Sequence, residues 1–148
     1  MDYAQLKLEN QICFPLYAAS RLVTREYQPH LDKLGITYPQ YLVLMVLWEN
    51  NGLTVNDISE KLILNTNTLT PLLKRMEKQQ LLSRRRDVAD ERKVLISLTE
   101  KGMQLREEAA SIPGKLFSEV VSDQLTQDRL LQLRDTLYAL ICQFHEKG

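Results

Sequence analysis

The period of the hydrophobic pattern changes once along this chain, and the change sets the architecture. Up to Gln79 apolar residues recur at helical spacing. Leu82–Arg86 and Arg92–Leu98 then read as two strands, with Val94, Ile96 and Leu98 two residues apart on one face. The charged run Asp87-Val88-Ala89-Asp90-Glu91 joins them as a hairpin loop, and helical spacing resumes at Thr99. The predicted fold class is mainly α with a small β-hairpin.

Before the hairpin, Ile12, Leu16, Ala19, Val23 and Tyr27 mark a long helix over about Asn10–Leu34. Proline is tolerated in a first helical turn and costly deeper, so Pro15 puts the start no earlier than Asn10, the expected N-cap, with Cys13 in or just before the first turn. Gly35 is the expected C-cap. Thr37-Tyr38-Pro39 reads as a cap and helix-starting proline ahead of an almost wholly apolar helix, Gln40–Glu49, which should be buried. Thr54 and Asp57 resemble a capping box opening a helix to about Leu62. The next helix, Thr66–Gln79, turns Leu69, Leu72, Leu73 and Met76 inward. After the hairpin, a long helix runs from its Thr99 cap to about Val121 with a kink at Pro113-Gly114. A last helix, Thr126 to about Phe144, places Leu130, Leu133, Leu137, Leu140 and Ile141 inward.

A helix pair followed by a two-stranded wing is the pattern of a winged helix-turn-helix. The terminal helices carry apolar faces but have no domain of their own to cover, so they are expected to pack against the same helices of a second copy. The expected organisation is one intertwined unit: 1–34 and 103–148 as a helical dimerisation region, 35–102 as the winged helix-turn-helix.

Several classes are set aside by composition. No apolar run approaches the roughly 18 residues of a membrane span. The N-terminus lacks a signal-peptide pattern, so a cytoplasmic location is expected. Cys13 and Cys142 are too few for a disulfide scaffold. They lie too far apart for a zinc motif, with only His30 and His145 as nitrogen ligands, so neither metal nor cofactor is expected. The formal net charge is zero, but between Asn65 and Lys101 nine cationic residues face five anionic ones. That segment therefore carries +4 and the remainder −4, a basic middle between acidic helices.

A helix that enters the major groove needs small polar residues at its N-terminal end and longer cations behind them. Asn65-Thr66-Asn67-Thr68, then Thr70, Lys74 and Arg75, has that profile; Asn and Thr are also ordinary caps, which explains one of them but not four in a row. The wing carries Arg84, Arg85 and Arg86 on one strand, Arg92 and Lys93 on the other, and arginine suits a narrow, negative minor groove. Asp90, two residues before Arg92, can orient its guanidinium.

At these residues the chain resembles a known family. Asp90-Glu91-Arg92-Lys93-Val94-Leu95-Ile96-Ser97-Leu98-Thr99-Glu100-Lys101-Gly102 resembles the wing signature of the MarR family of transcriptional regulators, and Leu69–Glu77 resembles its recognition helix. Asn10–Tyr17 and Leu34–Leu44 are similar to one branch, the OhrR-type organic hydroperoxide sensors. The resemblance implies a homodimeric repressor on an inverted-repeat DNA operator, released when an organic hydroperoxide oxidises the N-terminal cysteine. By position, Cys13 matches the peroxidatic cysteine. Tyr17, Tyr27 and Tyr38 match the tyrosines around it, two of them from the partner subunit. Asn65, Thr66, Thr68 and Arg75 match base-contacting positions, and Arg92 the wing arginine. The branch commonly has Asp-Ser where this chain has Asn65-Thr66, and two-cysteine members have a cysteine near Ser118. The resemblance is thus to the one-cysteine type, in which a low-molecular-weight thiol caps oxidised Cys13.

The chemistry fits such a sensor. A thiolate, not a thiol, attacks a peroxide, and the dipole and free N–H groups of a helix N-terminus favour an anion. Tyrosine hydroxyls can donate to sulfur, and Phe14, Leu16 and Tyr17 suit an organic peroxide. A lone cysteine is otherwise most often an inert buried thiol, and Cys142, between Ile141 and Phe144, is expected in the core or a dimer interface. Two competing functions keep part of this reading. One is a MarR-type regulator released by a small phenolic ligand. The other is a thiol peroxidase, which would need a recycling partner group that the sequence near Cys13 does not offer, so no enzyme is expected.

Overall fold

The computed structural model describes residues 3–146. The chain divides into two compact units, the first ending at Ala110 and the second beginning at Ser111; the outermost residues of the expected dimerisation region, 1–2 and 147–148, lie outside the described residues.

The first unit opens with short 3-10 turns and then α1 (Cys13–Leu34). Asn10 is not the cap. Its amide donates backward to the Ala4 carbonyl at 2.7 Å and so serves the preceding turn. Ile12 is the N-cap without a side-chain bond, which makes Cys13 the first helical residue. Gly35 ends α1 in the left-handed region at φ 68°, where a Cβ would be strained. Thr37 and Gln40 form a full capping box at the start of α2 (Tyr38–Glu49), whose Tyr41, Val43, Leu44, Val46 and Leu47 are buried. Thr54 and Asp57 form another at α3 (Val55–Leu62). Asn65 caps α4 (Thr66–Lys78), which buries Leu69, Leu72, Leu73 and Met76 as the spacing predicts.

The hairpin is β2 (Leu82–Arg86) and β3 (Val94–Leu98), in register from Leu82 opposite Leu98 to Arg86 opposite Val94. The sheet has one more strand than expected. The two-residue β1 (Leu53–Thr54), between α2 and α3, pairs with Ile96 and Leu95, so β3 is the central strand. Arg92 and Lys93 lie in the connecting loop and not in the strand.

The long helix expected from Thr99 to Val121 is two helices, α5 (Glu100–Ala109) and α6 (Ile112–Val120). The break falls ahead of Pro113, not at it. In a continuous helix Pro113 would have no N–H to give the Ala109 carbonyl and its ring would clash there, so the helix ends a turn early and Pro113 falls in the first turn of the next one.

The second unit consists of α6 and α7 (Gln127–His145), the latter capped by Thr126. The face of α7 expected to point inward is not buried: Leu130, Leu137 and Leu140 are half-buried, Leu133 and Ile141 exposed. Tyr138 on the same helix is 62% exposed. Among the described residues no helix is long and apolar enough to cross a membrane.

Candidate nucleic-acid interface and thiol site

At the start of α4, Asn65, Asn67 and Thr68 are exposed and Thr66 is half-buried; a turn or two later Lys74 and Arg75 are exposed. Asn65 Oδ1 accepts from the Asn67 N–H at 2.8 Å, so this residue is a true cap whatever else it does. The cap occupies only the amide oxygen. The turn before it is strained: Ile63 sits at φ 54°, unusual for a β-branched residue, and its N–H bonds to the Glu60 carbonyl at 3.3 Å.

In the wing, Asp90 and Arg92 pair as their spacing predicts. Asp90 Oδ1 accepts from Arg92 Nε at 3.3 Å and from the Arg92 N–H at 3.2 Å. The arginine side chain is 93% exposed, so the carboxylate aims it outward without covering it. Arg85 and Arg86 are also exposed. Arg84 differs. Its Nε donates to Glu77 Oε2 at 2.8 Å and its N–H to Glu77 Oε1 at 3.1 Å. Its guanidinium joins β2 to α4. Those bonds from Arg84 hold the Glu77 carboxyl below its ordinary range. Nothing in the sequence marks this pair, which faces across a tight turn.

Cys13 stands exposed at the first position of α1. Tyr17, one turn on, shares its face; it is 63% exposed, with the Arg21 guanidinium 4.4 Å from its ring centre. Tyr27 is on the same helix fourteen residues further, about 21 Å along the axis at 1.5 Å per residue. Tyr27 and Tyr38 do meet each other, with ring centres 5.1 Å apart, edge to face. Within one chain they therefore form a cluster remote from Cys13. Tyr41 completes it, 5.8 Å from Tyr27 and 6.2 Å from Tyr38, and Trp48 meets Tyr41 edge to face at 6.2 Å. Burial raises all three phenols, Tyr41 to about 12, so each remains a neutral O–H donor at ordinary pH. The family resemblance singles out Tyr27 and Tyr38 but not Tyr41 beneath them, which reads as a core residue of an apolar helix.

Cys142 is exposed on α7 and not in a core. Ser118 donates to the Lys115 carbonyl at 2.7 Å, an ordinary helix-surface bond. Among the described residues no cluster of side chains could hold a metal ion.

Residues 25–109 match the family described as "Transcriptional regulator SarA/Rot". The chain is 53% identical over 146 residues to the "Organic hydroperoxide resistance transcriptional regulator" of Bacillus subtilis, covering 99% of this chain and 97% of that protein. It is 40% identical to AbfR in a structure of the reduced protein bound to DNA, with a TM-score of 0.73 over 95% of this chain and 99% of that one. A disulfide-formed structure of AbfR is similar with a TM-score of 0.63 and 40% identity, over 93% and 95% of the two chains.

Proposed function

The chain belongs to the winged-helix MarR-type transcriptional regulators, in the branch of the organic hydroperoxide resistance regulators, and on that footing we propose that it is a cytoplasmic repressor released from DNA by oxidation of Cys13. Members of this family regulate transcription and are not enzymes. The observation that carries the reading is the position of Cys13: an exposed thiol at the first residue of a long helix, in the same compact unit as a helix-turn-helix and a cationic wing.

The repressor is a homodimer. Apolar residues stand exposed on α1 (Leu22, Val23), on α6 (Phe117, Val120) and on α7 (Leu133, Ile141), and a second copy covers them. Residues 1–34 and 103–148 make that dimer and 35–102 read DNA. The second copy also brings the tyrosines of one subunit to the cysteine of the other, a meeting that the distance along α1 forbids within one chain. Each α4 enters a major groove of an inverted-repeat operator, with Asn65, Thr66, Thr68 and Arg75 at base edges and Lys74 on phosphate. The wing follows the backbone, with Arg86 on phosphate and Arg92, aimed by Asp90, in the minor groove.

The signal is one sulfur reaction. The Cys13 thiolate attacks the terminal oxygen of an organic hydroperoxide, the O–O bond breaks, and the alkoxide leaves and takes a proton. Sulfur is oxidised to a sulfenic acid and the peroxide reduced to an alcohol. A low-molecular-weight thiol then displaces water from the sulfenic sulfur and forms a mixed disulfide. That bulk parts the tyrosines and changes the spacing of the recognition helices. A relative bound to DNA in its reduced form, and the same relative in a disulfide form, support thiol oxidation as the kind of signal. The phenolic-ligand alternative is not favoured, because the full-length likeness is to a hydroperoxide regulator.

Binding of the purified protein to duplex from its own upstream region, with and without cumene hydroperoxide, tests the reading. Retention by reduced protein and release by oxidised protein are expected; retention in both states contradicts it.

A further inference from the structure

Among the described residues Gln40 is the one polar side chain in the buried core, 4% exposed. A buried amide is costly unless both its ends are bonded. Gln40 satisfies them on two different elements. Its Oε1 accepts from the Thr37 N–H at 3.0 Å and closes the capping box of α2. Its Nε2 donates to Gln79 Oε1 at 2.8 Å, thirty-nine residues away.

Gln79 is the C-cap of α4, with its own N–H bonded to the Arg75 carbonyl at 3.0 Å. Its Nε2 reaches the Gly35 carbonyl at the end of α1 at 3.4 Å. Its carbonyl oxygen accepts from Lys101 Nζ in α5 at 2.9 Å. Through its side chain and its backbone carbonyl, Gln79 thus joins the end of α1, the start of α2 and the start of α5 to the end of α4, all within the first unit.

What stands at the start of α2 matters. Tyr38 is its first residue, between Thr37 and Gln40, and its ring lies against Tyr27. α4 is the helix that carries Asn65 to Arg75, about 20 Å long at 1.5 Å per residue. The Gln40–Gln79 bond therefore lies between the tyrosine cluster and the far end of the DNA-reading helix.

We propose that Gln40 and Gln79 are the positioning pair that couples the tyrosine cluster to the recognition helix. The inference rests on the reading of Cys13 as the sensor and adds the element that carries its signal. A hydrogen bond suits the task because it is directional and is lost within a few tenths of an ångström. When the first turn of α2 shifts with Tyr38, either Gln79 follows and α4 tilts, or a buried amide is left unpaired. The second course is disfavoured by burial, so the two helices move together. The physical warrant for such a path is an element that both sites bias.

The test compares DNA affinity of fully reduced and fully oxidised protein, with the state of Cys13 read by mass spectrometry in every sample. Gln79→Met removes the amide and keeps the length. Gln79→Glu keeps an acceptor for Gln40. The double variant Gln40→Met with Gln79→Met leaves no amide unpaired and decides the matter if Gln79→Met does not fold. Gln79→Met and the double variant are expected to bind DNA when reduced and to oxidise at Cys13 like the parent. Their oxidised-to-reduced affinity ratio should fall about tenfold toward one, within the usual range of coupling between two sites. Gln79→Glu should keep the parent ratio. Folded Met variants with the parent ratio would overturn the inference and leave the sensor reading standing, as would loss of the ratio in Gln79→Glu. A parent that stays on DNA with Cys13 fully oxidised would overturn both.

Discussion

Arg84 Nε lies 2.8 Å from Glu77 Oε2, so the first strand of the wing is fixed to the last turn of the DNA-reading helix. β2 and α4 are thus held as one piece. Arg86, two residues along the same strand face, is exposed.

The two arginines should accordingly behave differently on substitution. Arg86→Ala should weaken DNA binding and lower the slope of log affinity against log salt by about 1, the signature of one lost phosphate contact. Arg84→Ala should leave that slope nearly unchanged and lower the urea midpoint. Because Arg84 depresses the Glu77 carboxyl, the contribution of the pair is complete above the ordinary carboxylate range and is lost as pH falls through the lowered value. The midpoint difference between parent and Arg84→Ala should therefore shrink on acidification. Equal salt slopes for Arg86→Ala and the parent would contradict the assignment.

Gly102 is required by a close approach. A Cβ there would stand 2.1 Å from the Leu81 carbonyl oxygen, which already accepts from the Thr99 N–H at 3.1 Å. The Trp48 indole N–H also donates to the Gly102 carbonyl, at 2.8 Å. Gly102→Ala should destabilise the fold by about 1–3 kcal/mol, the usual range for overpacking, despite the better helix propensity of alanine. Urea unfolding with an unchanged m-value and a lower midpoint is the expected result.

Much of the winged helix was legible because its signals are local. Thr54 with Asp57, Thr37 ahead of Pro39, and Gly35 each act within a few residues. So do Asp90 and Arg92. The features that escaped are those made by distant partners. Leu53–Thr54 is too short to show a period and is a strand only because Ile96 and Leu95 pair with it. Arg84 reads as one more cation until Glu77 is seen to hold it. Gln40 reads as the first residue of an apolar helix; that it closes the Thr37 capping box and bonds to Gln79 has no trace in the sequence reading. The inward face assigned to α7 was a true apolar stripe, yet periodicity identifies a stripe and not what covers it.

The tyrosine cluster makes an optical prediction. Of six tyrosines, Tyr27, Tyr38 and Tyr41 should ionise above 10, Tyr41 at about 12, when absorbance of phenolate is followed on alkaline titration. Burial favours the neutral phenol in the folded state, so this contribution to stability is whole below pH 10 and is lost as pH rises toward 12. Tyr41→Phe should remove the latest-titrating step. Simultaneous ionisation of all six in the folded protein would contradict the packing.

Base reading and groove reading should separate. Arg75→Ala should cost roughly 1–3 kcal/mol and relax preference at one base pair, if that arginine contacts a guanine as its match to a base-reading position implies. Arg92→Ala should weaken binding to all sequences sharing a narrow minor groove at the wing. The check is a binding series over single-base operator variants; parent-like profiles for both would show that DNA meets another face.

The most direct measurement is anisotropy of a labelled operator duplex titrated with parent, Cys13→Ser and Cys142→Ser proteins, each before and after stoichiometric cumene hydroperoxide with a small thiol present. The account predicts that all three bind when reduced, that parent and Cys142→Ser let go on oxidation with one mixed disulfide at Cys13, and that Cys13→Ser holds on throughout. Release of Cys13→Ser by the peroxide, or an oxidised parent still bound, would contradict it.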